Sequence, residues 1–196
     1  PMSFARLKSE LLAARDAREA VLAALLDGAA ATLVAVSSAV PGPDKTPPGS
    51  AALFAWGLRQ LHQRLGACQP LAAGEDALGP YRIVATVAEP WRVKAVGLAI
   101  ETAISAARLL DVDVYAANGS RIGRAEIGQP ARRCLLCAEP ATDCIRLNRH
   151  PMERLLDHVG HLLAPFTDAL PDAGTGGAAG RRLAMGTRSH PQAGTG

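Results

Sequence analysis

The stretch Leu109-Leu110-Asp111-Val112-Asp113-Val114-Tyr115-Ala116-Ala117-Asn118-Gly119-Ser120-Arg121-Ile122 decides the fold class. Acidic and apolar residues alternate from Asp111 to Tyr115, which is the two-residue period of a strand. Asn118-Gly119 is a hairpin turn signal, and Ser120 to Ala125 supplies a returning strand. A hairpin this late in the chain, among helical segments, argues for an α+β fold. The expectation is a single domain with a mixed sheet and flanking helices.

Earlier in the chain, Thr32 to Ser38 reads as a short buried strand. Tyr81 to Ala88 is a second strand, apolar on both faces and therefore central. Leu7, Leu11, Ala14, Val21, Leu22 and Leu25 space out a first helix, with Ser3 as its cap and Gly28 as its end. The charged run Arg15-Asp16-Ala17-Arg18 is a candidate break within it. Ser50 is the expected cap of a second helix carrying Phe54, Leu58, Leu61 and Leu65, and Gly66 stops it. Gly74 to Gly79 reads as a polar loop. Val93 to Ala107 fits a helix or a strand. Pro151 suits the first turn of a last helix with Met152, Leu155, Leu156, Val159, Leu162 and Phe166 on its apolar stripe. From Pro171 the composition turns to glycine and alanine. Residues 1–170 are therefore expected to form the domain and 171–196 a disordered tail.

The 196 residues are 48% hydrophobic and 20% charged, enough for a real core. A net charge of +3 first suggests nucleic acid. Arg181, Arg182 and Arg188 against Asp172, all in the tail, supply most of that excess, so the body is near neutral. Two tryptophans, two tyrosines and three phenylalanines are too few and too scattered for a base-stacking platform. Neither a dinucleotide-binding glycine motif nor a Walker loop is present. No apolar run reaches the ~20 residues of a membrane span, and no signal pattern opens the chain. The expectation is a cytoplasmic protein with no nucleic-acid or membrane partner.

Three constellations carry chemistry. Asp111 and Asp113 project from one face of a strand while Val112 and Val114 face the core. Two such carboxylates repel unless a cation lies between them, and their oxygens suit Mg²⁺ or Mn²⁺. The plain alternative is two solvated carboxylates on an outer face. Cys134-x2-Cys137-x6-Cys144-x5-His150 has the residue types of a Cys₃His zinc site. It reads equally as buried thiols or as a Cys134–Cys137 redox pair. Cys68 reads as an ordinary lone cysteine. Arg15, Arg18, Lys45, Arg92, Lys94, Arg108, Arg132, Arg133 and Arg146 fall near breaks in the chain. They either converge on one anionic ligand or remain solvated.

These residues resemble one family. Arg108-Leu-Leu-Asp111-Val-Asp113-Val, the Asn118-Gly119 hairpin, Arg132-Arg133-Cys134-Leu-Leu-Cys137 and Cys144-Ile-Arg146 to His150 are similar to the apo-citrate lyase phosphoribosyl-dephospho-CoA transferases, also called holo-citrate lyase synthases (CitX). Arg15-Asp16-Ala-Arg18, Pro41-Gly42-Pro43-x-Lys45 and Pro90-x-Arg92-x-Lys94 agree in order and spacing, over roughly residues 10 to 165. The resemblance implies a nucleotidyltransferase-like enzyme. Its donor would be triphosphoribosyl-dephospho-CoA. Its acceptor would be a serine of the citrate lyase acyl carrier protein (gamma) subunit, and pyrophosphate would leave. A malonate decarboxylase carrier or a non-catalytic, zinc-stabilised carrier-binding module are the alternatives.

The same resemblance implies roles. Asp111 and Asp113 would hold Mg²⁺ on the triphosphate. Lys45, Arg92, Lys94, Arg108, Arg132 and Arg133 would bind substrate. Glu101 would complete the metal shell or assist loss of the serine proton, and the cysteine cluster would order the Arg132-Arg133 segment. The family usually carries glycine where this chain has Ala107, and His-Pro where it has Ile104-Ser105.

Overall fold

A computed structural model describes residues 4–27, 29 and 31–167. Ser3, Gly28 and the glycine-rich tail lie outside these residues. The first helix, α1, runs unbroken over Phe4–Leu26. The charged run Arg15 to Arg18 does not interrupt it, because alanine, leucine and arginine all favour helix and Arg18 finds partners on the sheet. β1 spans Thr32–Ser38 and α2 spans Ser50–Leu65. The chain enters α2 through Gly49, so Ser50 is the first helical residue rather than the cap.

Gln69–Asp76 forms β2 and Gly79–Thr86 forms β3, a hairpin where the sequence suggested a loop followed by one strand. β2 is an edge strand, the position where proline and glycine are tolerated. Its register slips between Pro70 and Ala72. Gly74 is needed there, since a Cβ at this position would stand 2.9 Å from the Tyr81 ring. α3 spans Pro90–Ala103, a 3-10 turn covers Ser105–Leu109, and β4 spans Leu110–Tyr115. β5 is only Arg121–Ile122. A second 3-10 turn at Ala125–Ile127, α4 at Ala141–Arg146 and α5 at Met152–Thr167 complete the order.

The α+β class and single domain hold, but the sheet is not mixed. Its order is β2-β3-β1-β4-β5, and every ladder is antiparallel. The reason is topological: β3 and β4 run the same way and are joined by α3, but β1 lies between them in the opposite direction. Val34, Val36, Val84, Val112 and Val114 point from the sheet into a core with Leu53, Leu61, Val93, Ile100, Val159 and Leu163. Burying each such side chain contributes roughly 1.5–3 kcal/mol. The opposite face carries Ala35, Ser37, Ile83, Tyr81, Asp113 and Tyr115, with Arg15, Arg18 and Leu22 of α1 across from it. Among the described residues no helix is long and apolar enough to cross a membrane.

Candidate functional site

β4 alternates buried and half-buried residues along its whole length, so Asp111 and Asp113 share the face opposite the core. Across the ladder Asp111 pairs with Ser37 and Asp113 with Ala35. A cleft of about 470 Å³ lies between this face and α1, lined by Arg15, Arg18, Tyr81, Asp113 and Arg121 among others. Burial, and after it the charge of Asp113, holds the Asp111 carboxyl above the ordinary carboxylate range, with the Arg132 guanidinium acting against both. Arg121, on the returning strand, donates to Asp113 Oδ1. Its place is legible from the hairpin register, because Arg121 pairs with Tyr115 and so lies diagonal to Asp113.

The outer edge of β4 is sealed by side chains. Ile122 pairs only at Val114, which leaves the edge groups of Leu110 and Val112 without a strand. The Val112 amide donates to Glu101 Oε1 at 2.9 Å. Lys94 Nζ donates to the Val112 carbonyl at 2.7 Å. Arg132 donates to the Leu110 carbonyl at 2.6 Å. Lys94 and Glu101 are 5% and 3% exposed, so both charges are taken out of water and bonded to β4. Glu101 Oε2 also faces Arg124, and Arg132 at 3.1 Å. Arg132 reaches on to Asp111 Oδ1 at 3.4 Å, and so bridges the buried and the half-buried acid. Nothing in the sequence pointed to Arg124, which caps the second 3-10 turn at its start.

Arg108, in the last residues before β4, donates to the carbonyls of Arg133 and Cys134 at 2.9 and 2.6 Å. Ala107 is completely buried in that turn. Arg108, Arg132 and Arg133 line a further cleft of about 600 Å³ together with Glu101 and Arg124. Lys45 stands at the end of β1, packed on Gly79, with its ammonium on the Val40 carbonyl at 2.8 Å. Burial pushes its pKa down. Arg92 is exposed on the first turn of α3, about 14 Å along the helix from Glu101. The fold does not bring Arg92 to this group. Arg146, exposed on α4 and paired with Asp143, is likewise not brought to it.

Cys134, Cys137, Cys144 and His150 converge, with their ligand atoms all within 4.8 Å of one another, and could hold a metal ion. Burial works to raise the Cys134 pKa, but bonds from the Leu136 and Cys137 amides outweigh it and hold the thiol below its ordinary value. Burial, with its sulfur neighbours, pushes Cys144 up to about 12.

The family model described as apo-citrate lyase phosphoribosyl-dephospho-CoA transferase (CitX) matches residues 7–166. The chain belongs to this CitX family. Relatives named apo-citrate lyase phosphoribosyl-dephospho-CoA transferase include one from Escherichia coli O1:K1 / APEC, 33% identical over 79% of this chain and 86% of its own length. One from Citrobacter koseri is 32% identical over the same shares. The match to the CitX model begins within α1, contains the whole sheet, the acidic pair and the cysteine cluster, and ends within α5.

Proposed function

We propose that this chain transfers the phosphoribosyl-dephospho-CoA group from its triphosphate precursor to a serine of the citrate lyase acyl carrier protein (gamma) subunit, releasing pyrophosphate in the cytoplasm. Family membership supports the overall reaction. The observation that carries the chemistry is the pair Asp111 and Asp113 on one face of β4, with Asp113 lining a cleft walled by arginines and Asp111 beside Arg132. In this reading residues 1–170 form a nucleotidyltransferase-like domain, and 171–196 are a tail outside it.

The acidic pair fits a hard divalent cation. A carboxyl held above its ordinary range by burial and by a second carboxylate is relieved by a cation. Asp111 and Asp113 would hold Mg²⁺ or Mn²⁺, and such an ion, when bound, neutralises triphosphate charge. Arg121 orients Asp113, and Arg132 orients Asp111. Arg15, Arg18 and Lys45 on one side and Arg108 and Arg133 on the other offer positive charge to the phosphates and the outgoing pyrophosphate. Lys94 and Glu101 act through β4, fixing the strand that carries the acids. Arg92 is left to a more distant part of the donor. The serine oxygen bonds to the α-phosphorus as the bond to pyrophosphate breaks, and the serine proton is lost to solvent. A structural Zn²⁺ on the cysteine cluster is the second metal of this reading.

The test is to incubate the protein with donor, Mg²⁺ and apo-carrier. The carrier should gain the mass of the prosthetic group with stoichiometric pyrophosphate. Asp111→Asn should abolish transfer without unfolding the chain. No mass gain with a verified donor and carrier overturns the reading.

A further inference from the structure

Between Ile127 and Ala141 the chain has neither helix nor ladder beyond one isolated bridge, Arg133 to Pro140. Its internal bonds are few. The Cys134 amide donates to the Glu139 carbonyl at 2.7 Å, and the Ala141 amide to the Arg132 carbonyl at 2.8 Å. Yet this segment presents Arg132, which touches Leu110, Asp111 and Glu101 at once. Two groups beside it can hold it in place: the cysteine cluster, and Arg108 on the Arg133 and Cys134 carbonyls.

Cys137 Sγ stands 3.5 Å from Cys144 Sγ and 3.3 Å from His150 Nε2. Tetrahedral Zn²⁺ with bonds of ~2.3 Å sets its sulfurs about 3.8 Å apart. A disulfide needs about 2.05 Å. The observed spacing is close to the first and far from the second. The Leu136 amide donates to Cys134 Sγ at 3.4 Å, the kind of amide-to-sulfur contact that supports a metal-bound thiolate. The four ligands come from three places: the 132–141 turn, α4, and the residue before Pro151. An ion there ties all three together.

We propose that Zn²⁺ closes the Cys134, Cys137, Cys144, His150 site and thereby fixes Arg132 against Asp111 and Glu101, so that Arg132 is a positioning residue whose place depends on the metal. Arg108 is the second tie, since its guanidinium grips the carbonyls of Arg133 and Cys134 from the turn before β4. The catalytic consequence rests on the transferase reading, but the coupling does not.

The test uses the full chain under reducing conditions. About one zinc per chain should co-purify. Chelation should speed amide hydrogen exchange across residues 130–150 and at the Val112 amide on the β4 edge. Zn²⁺ should reverse the change, and Mg²⁺ should not. His150→Ala should lose the zinc and His150→Cys should retain it. Arg132→Ala should keep its zinc but show fast Val112 exchange that chelation no longer alters. Zinc below about half an equivalent with free reduced thiols overturns the site. Zinc leaving with no change at Val112 overturns the coupling. These readouts need no turnover, so loss of the transferase reading would leave them intact.

Discussion

Lys94 Nζ and the Val112 carbonyl oxygen lie 2.7 Å apart, a buried ammonium completing the edge of the strand that carries both acids. Two turns along α3, Glu101 accepts from the Val112 amide, so one residue of β4 has both its edge groups satisfied by α3. Lys94→Met leaves a buried carbonyl without a donor and should cost about 1–3 kcal/mol in urea denaturation. Unchanged stability would mean the ammonium serves substrate alone.

Glu101→Gln keeps an acceptor for Val112 but removes the charge facing Arg124 and Arg132. Breaking a buried pair from one side costs roughly 3–5 kcal/mol. Glu101→Ala should cost more, because the Val112 amide also loses its partner. Denaturation midpoints in that order check the assignment.

Gly97 lies between Lys94 and Glu101 on the buried face of α3. A Cβ there would stand 2.7 Å from Val112 Cγ1. Gly97→Ala should therefore destabilise by about 1–3 kcal/mol through overpacking, despite alanine's better helix propensity. Transfer should fall with it, since α3 would push on β4 between the two acids. A stabilised Gly97→Ala would contradict this packing.

Asp111 carries a raised folded pKa. A carboxyl bound more tightly by protons when folded weakens the fold once it is ionised, so the penalty is full above the folded pKa and fades as pH falls through it. Asp111→Asn should thus raise the melting temperature at neutral pH when divalent metal is absent, and abolish transfer when it is present. A lowered melting temperature would sink the prediction.

Asp76 behaves in the opposite sense. Burial acts to raise its carboxyl, but the bonds from Arg18 and the Leu78 amide hold it below the ordinary range. Arg18 also stacks over Tyr81 at 4.4 Å from the ring centroid and so pins α1 to the sheet. The stabilisation is present above the unfolded value of about 3.9 and is lost as pH falls through the lower folded one. Wild-type protein should out-melt Arg18→Ala at neutral pH, with the gap narrowing below about pH 4.

Much of the site was legible because it obeys a period. The alternation from Asp111 to Tyr115 placed two acids on one face and two valines in the core, and the cysteine spacing joined residues near in sequence. What escaped the sequence depends on tertiary neighbours. β2 contains Pro70 and Gly74 and looks like a loop; only an edge position makes it a strand. β5 was expected to continue to Ala125 but stops at Ile122, since side chains take over the edge of β4. Lys94 was expected to bind substrate, and Glu101 to complete a metal shell or assist loss of the serine proton. Their burial could not be read without knowing that Gly97 lets α3 approach β4 so closely.

The position of β1 has a consequence for assembly. Val34 pairs with Val84 on one side and Val114 on the other, so the first strand made is the middle of the sheet. At about 5–20 residues per second, synthesis leaves this apolar strand waiting on the order of ten seconds for its second neighbour. Such long sequence separations slow closure of a sheet. Thr32 to Ser38 is therefore exposed to intermolecular pairing until β4 is made, and the acidic pair is the last part of the central sheet to arrive.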